Sequence, residues 1–183
     1  MSLLTEKALA ASLKKLLEKK TLDKITVKDI TDDCGVNRQT FYYHFHDIYD
    51  LIEWIFTEEA KRYADGVDVD NWQEHIRNMM DKLLEDKKFI LNTFYSINRR
   101  QLEQFLQKLA RPRMEELVNN LAEGMHVSDE DLDFVVQIYT FGLVGILTEW
   151  LASGMSDDFS HMLDKFFLIV DGSIEHTLAK LSL

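Results

Sequence analysis

Only one cysteine, one proline and seven glycines occur in the 183 residues of this chain. The lone thiol, Cys34, excludes an internal disulfide framework and a cysteine-based zinc cluster, and it is expected to be a small packing residue. With so few breakers, apolar residues recur at helical spacing almost throughout, and the fold class predicted is all-α. The opening stretch MSLLTEKALAASLKK lacks the unbroken apolar run of a signal peptide, so the expected location is cytoplasmic. The longest apolar window, Phe134 to Ala152, contains Gln137, Thr140, Thr148 and Glu149. It therefore predicts a buried helix of a soluble bundle, with no membrane partner. Ser-His-Asp order, a Gly-rich phosphate loop and paired catalytic carboxylates are all missing, so no catalytic residue and no cofactor is expected. His75, His126, His161 and His176 are scattered and expected to face solvent.

Apolar residues make up 46% of the chain, enough for a real core. Net charge is -11, unevenly placed. Residues 1 to 46 hold eight Lys or Arg against six Asp or Glu, and the remainder holds 13 against 26. A mildly basic end on an acidic body can still present cations locally to a polyanion.

Within that basic end, Leu9, Leu13, Leu16 and Leu17 share one face of a first helix predicted from Thr5 to Lys19. Thr26 and Asp29 have capping-box spacing and start a second helix, whose inward face carries Val27, Ile30 and Cys34. Gly35 permits a sharp turn, Asn37 caps a third helix ending near Phe45 or His46, and Asp47 with Asp50 starts a fourth. A helix, a tight turn and a short helix, covered by a preceding helix, form the three-helix helix-turn-helix arrangement.

The third helix holds six consecutive rings, Phe41 to His46, open at first to three readings: a metal site, an aromatic core, or a contact surface. His44 and His46 fall about 200° apart on a helix, which removes the metal reading. With Phe41 and Phe45 turned inward, Arg38 and Tyr42 lie on one flank, Thr40 and His44 on the other, and Gln39 and Tyr43 point outward. Arg and Gln suit purine edges, Tyr suits a thymine methyl or a phosphate, and Thr and His suit phosphate oxygens. Thr26, with the free amides at the start of the second helix, offers a further phosphate site.

The segment ITVKDITDDCGVNRQTFYYHFHDIYDL resembles the DNA-binding signature of the TetR/AcrR family of bacterial transcription regulators over residues 26 to 51. The resemblance implies phosphate contacts from Thr26, Thr40, Tyr43 and His44, and base-facing roles for Lys28, Arg38, Gln39 and Tyr42. It also implies a homodimer on a palindromic double-stranded DNA operator. Residues 1–46 would read DNA, and residues 47–183 would regulate and dimerise, with the fourth helix as connector. The family's usual mode is repression relieved by a small-molecule effector, whose binding alters the separation or tilt of the two heads. HDIYDL and the later GLVGILTEWLASGM resemble the DhaS-like subgroup, regulators of dihydroxyacetone kinase genes, for which activation with a protein coactivator is the alternative. Ile48 stands where the family usually has a lysine, which takes away one phosphate contact. A helical interaction protein that has lost operator binding is the competing class.

Further helices are predicted at Trp72 to Leu84, Lys87 to Ile97, Gln101 to Gly124, Asp129 to Ser153 and Asp158 to Leu181, with a polar connection at Asp65 to Asp70. Pro112 should kink or break the third of these. The acid run SDEDLD reads as a capped helix start. By the family resemblance the last two helices form the dimer interface, with Ile138, Gly142, Gly145, Ile146 and Trp150 on that face. Trp72, Phe89, Phe94, Tyr95 and Phe105 are either pocket-lining or core, and Arg99 and Arg100 either meet an anionic ligand or stay as surface charges.

Overall fold

The computed structural model describes residues 2–64, 72–156 and 159–182, and among them every regular element is helical. The polar connection expected at Asp65 to Asp70 lies outside the described residues. In chain order the helices are α1 (Ser2–Leu17), α2 (Val27–Cys34), α3 (Arg38–His44), α4 (Ile48–Ala64), α5 (Trp72–Glu85), α6 (Lys87–Phe94), α7 (Arg99–Leu121), α8 (Asp129–Ala152), α9 (Phe159–Val170) and α10 (Ser173–Leu181). A 3-10 turn at Leu22–Lys24 follows α1. The chain divides into two compact units, one of Met1–Asp65 with Lys82–Asn98, the other of Gly66–Asp81 with Arg99–Leu183.

In the first unit, Leu9, Leu13 and Leu17 repeat every four residues along α1 and are fully buried, as are Ile30 of α2, Phe41 of α3 and Leu51 of α4. Each such side chain contributes about 1.5–3 kcal/mol by leaving water. The buried Ser12 hydroxyl donates to the Ile30 carbonyl at 3.1 Å, tying α1 to α2 without leaving a polar group unpaired. Phe45, just past α3, packs edge-on to Trp54 of α4 at 5.9 Å. The segment around α6 closes the far end of α1. Asn92 donates to the Leu17 carbonyl at 2.6 Å, and the Ser96 hydroxyl accepts from the Leu22 amide at 3.2 Å. Both groups belong to the end of α1 and the turn after it, where backbone atoms lack helical partners.

The second unit centres on α8, which packs against α7, α9 and α10 and buries nine of its residues. By length and composition α8 is apolar enough to cross a membrane, and its inward face forms the core of this unit. Ser128 caps it, accepting from the Asp131 amide at 3.1 Å, so SDEDLD is a helix start as expected. One expectation is narrowed and one is corrected. Pro112 lies inside α7 without breaking it. It and Lys108 are both exposed, so the carbonyl deprived of a donor lies on the solvent side. The single helix expected from Asp158 to Leu181 is two, because Gly172 takes a left-handed conformation (φ 68°) between α9 and α10.

Candidate nucleic-acid interface

Local sequence builds the α2–turn–α3 segment. At the start of α2 the Thr26 hydroxyl accepts from the Asp29 amide at 3.2 Å, and the Asp29 carboxylate accepts from the Thr26 amide at 2.8 Å. Gly35 ends α2 with φ 72°, and its neighbour Val36 donates to the Thr31 carbonyl at 3.0 Å. Asn37 caps α3 by accepting from the Thr40 amide at 2.7 Å. Cys34 is half-buried beside this turn, and burial pushes its thiol above the ordinary range.

Phe41 and Phe45 anchor α3 inward, 5.9 Å apart. Arg38 and Gln39 are exposed, and Tyr42 and Tyr43 are 57% and 83% exposed. Leaving two tyrosines this open costs apolar burial that the fold does not recover, which is the mark of a surface with something to touch. Lys28 is exposed on α2 and, like Arg38, makes no ion pair among the described residues. Lys14, Lys15 and Lys20, by contrast, are engaged with Glu59 and Asp86, Asp33, and Asp29. Arg38, unengaged, lies one turn before the exposed Tyr42 on α3.

Three expected phosphate contacts are placed differently from the sequence reading. The Thr26 hydroxyl also donates to Asp29 at 2.8 Å, and the Thr40 hydroxyl donates to Asn37 at 3.0 Å, so each must exchange its partner to serve a phosphate. At the start of α2 the Asp29 carboxylate occupies the Thr26 amide, leaving the Val27 and Lys28 amides open. His44 is the least open of the three. Its side chain is 7% exposed and faces α1, with Nδ1 3.2 Å from Glu6. His46, 92% exposed beside Asp47, points elsewhere. At the start of α4, Asp47 accepts from the Asp50 amide and Asp50 from the His46 amide, both at 2.9 Å, so Ile48 is flanked by two carboxylates.

The Thr26 amide and hydroxyl hold the Asp29 carboxyl below its usual value of 3.8. A depressed carboxyl contributes stability in full above the unfolded value and loses it as pH falls through the folded one. Acidification below about pH 3.8 is thus expected to open the first turn of α2, read as faster exchange of the Thr26 amide, from which the Asp29 carboxylate accepts. In Asp29→Ala the Thr26 amide should exchange fast at every pH; a protected Thr26 amide in that variant would contradict the capping role.

On the second unit, Phe134, Ile138 and Phe141 of α8 are 58%, 49% and 47% exposed and continue one stripe with the exposed Gly145. Leu168 and Ile169 of α9 are 76% and 69% exposed. Ile146 is half-buried beside the stripe. Trp150 is corrected: it lies inside, 2% exposed, because twelve residues of helix turn it about 120° from Ile138. Gly142 makes room within the chain, since a Cβ there would come within 3.2 Å of the Phe166 ring.

The aromatics expected to be either pocket-lining or core differ in burial. Phe89 is core, stacked near Phe56 at 5.4 Å with the Lys14 ammonium 5.2 Å from its centroid; Phe94 and Phe105 are half-buried, and Tyr95 is exposed. The Trp72 and His75 side chains lie outside the described residues. An open cleft of about 370 Å³ is lined instead by Gln73, Arg77, Asp164, Phe167, Leu168 and Asp171. There Arg77 pairs with Asp164 and lies 4.9 Å over the Phe167 ring. No helical periodicity could bring α5 and α9 together in advance. Arg99 is paired with Glu103 at 2.7 Å, and Arg100 is exposed.

An exposed short helix carrying Arg, Gln and Tyr, held by a capped helix and a left-handed glycine turn, defines a helix-turn-helix DNA-binding protein. Residues 9–55 match the bacterial regulatory proteins of the tetR family, and residues 70–172 match a transcriptional regulator C-terminal region. The chain belongs to the TetR family of transcription regulators, which are not enzymes. It is 25% identical over 158 residues to the HTH-type dhaKLM operon transcriptional activator DhaS of Lactococcus lactis subsp. lactis (strain IL1403), covering 85% of this chain and 83% of that one. Among solved structures, the dihydroxyacetone kinase operon activator DhaS superposes with a TM-score of 0.70 at 18% identity, over 99% of each chain. A TetR regulator from Streptococcus agalactiae 2603V superposes with a TM-score of 0.58 at 19% identity, over 92% and 94%.

Proposed function

We propose that the protein is a cytoplasmic homodimer in which residues 1–46 of each subunit read one half of a palindromic operator and the rest dimerises and receives the signal. Arg38, Gln39 and Tyr42, with Lys28, address base edges; Thr26, Thr40, Tyr43 and His44 address the backbone. The single observation that carries this reading is the exposure of Tyr42 and Tyr43 on a helix whose other face is fully buried at Phe41. The exposed α8 stripe of Phe134, Ile138, Phe141 and Gly145 is the proposed dimer face.

For the sign of regulation we propose activation with a protein coactivator. The likeness to an activator along 85% of the chain supports it. Repression relieved by a small-molecule effector is the other mode. Footprinting on the promoter beside the gene, followed by expression from that promoter in a deletion strain, tests both parts. Protection with lost expression supports the proposal; protection with raised expression makes the protein a repressor. Absence of any sequence-specific complex returns it to a helical interaction protein, consistent with Ile48 in place of a cation.

The residue roles have their own expected result. Gln39→Ala and Tyr42→Ala should change or relax base preference, whereas Thr40→Ala should weaken all sequences alike by about 1 kcal/mol. Competition with operator and random duplexes measures this, and equal losses on both for all three variants would refute the division.

A further inference from the structure

His44 sits on the flank of α3 that turns toward α1, and its Nδ1 lies 3.2 Å from Glu6 Oε1. The two side chains are 7% and 20% exposed. A carboxylate accepts and cannot donate, so the ionised Glu6 places the ring proton on Nδ1. Nε2 is then decided. Among the described residues the one buried side-chain polar atom without a partner is Thr140 Oγ1, so His44 Nε2, which bonds to no protein group, reaches solvent. In the neutral ring that outward nitrogen carries a lone pair, and a phosphate oxygen, itself an acceptor, gains nothing from it. In the imidazolium it carries a proton and donates.

We propose that Glu6 and His44 form a proton-dependent clamp on the DNA backbone: His44 takes up one proton from solvent when a phosphate arrives, donating from Nδ1 to Glu6 and from Nε2 to the phosphate. Glu6 is the positioning residue, acting through the ring. The clamp rests on the reading of α3 as the DNA-facing helix and deepens it. An imidazolium between a carboxylate and a phosphate is favoured by both anions, so binding tightens as pH falls. Thr40, one turn earlier on the same flank and half-buried, is placed to share the same phosphate. On α2, Asp29 is engaged with Lys20 and Asp33 with Lys15, while on α3 the Tyr43 ring stands edge-on to His44 at 5.0 Å. In the turn that follows, His46 pairs with Asp47.

A phosphate contact is independent of sequence, so the test uses the full chain and a labelled duplex of about 30 base pairs of arbitrary sequence. Fluorescence anisotropy at fixed ionic strength, from about pH 5.5 to 8.5, gives the affinity profile. The wild type is expected to tighten toward acid by up to about tenfold per pH unit, the limit for one linked proton. His44→Gln should flatten that part of the profile. Glu6→Gln, which keeps an acceptor but removes the charge, should move it to lower pH. An NMR titration of the His44 ring in the free protein should shift to lower pH in Glu6→Gln as well. Equal loss of affinity at every pH with an unmoved ring titration would mean that Glu6 only packs α1, and would overturn the proposal, as would an acid slope that survives in His44→Gln. No duplex binding at any pH overturns the DNA-facing reading itself and the clamp with it; a ring titration that still responds to Glu6→Gln shows that the pair forms regardless.

Discussion

Phe41→Ala is expected to destabilise the first unit by about 3–5 kcal/mol, the cost of removing a large buried ring and leaving a cavity. Phe41 is completely buried, contacts Phe45 at 5.9 Å, and is the pin that sets the rotation of α3. A loss of that size is a large fraction of a typical domain stability of about 5–15 kcal/mol. DNA binding should fail with it, because the exposed side chains of α3 keep their positions only while its other face is packed. The contrast is Tyr43→Ala, one turn face away and 83% exposed, which should change stability by no more than about 0.5 kcal/mol while still weakening DNA binding. Urea denaturation followed by circular dichroism measures both. A Phe41→Ala cost below about 1 kcal/mol would show that α3 is held by something else.

The second large effect concerns the dimer. Placing carboxylates at Ile138 and Phe141 together should convert the dimer to a monomer without unfolding it, since both side chains are about half exposed in the single chain. Two charges facing their own copies across an apolar surface combine repulsion with desolvation, and neither has a partner there. Operator affinity should fall by at least about a hundredfold, because the second half-site then loses the effective concentration that linkage to the first provides. Sedimentation equilibrium and footprinting read the two consequences separately. A double variant that remains dimeric would remove this face of α8 from the interface and direct attention to Leu168 and Ile169 of α9.

Local order of the first fifty residues was legible because each step has a short-range cause. Thr26 and Asp29, Gly35, Asn37, and Asp47 with Asp50 all act within a few residues, and all make the contacts their spacing predicts. The all-helical class followed equally from periodicity and from the scarcity of breakers. Gly172 was less legible: a glycine within an apolar stretch is compatible with continuing the helix or ending it, and only the observed φ of 68° decides.

The sequence by itself determined which residues of α3 face in and which face out, since a helix turns about 100° per residue whatever surrounds it. Only the tertiary structure decided what the flanks meet. It brought Glu6, 38 residues away in the chain, against His44 and gave an expected phosphate ligand a carboxylate neighbour. It closed the end of α1 with Asn92 and Ser96, buried Trp150, and brought Arg77 to Asp164. Periodicity carries information along one helix; contacts between helices depend on how their faces pack, which no local pattern encodes.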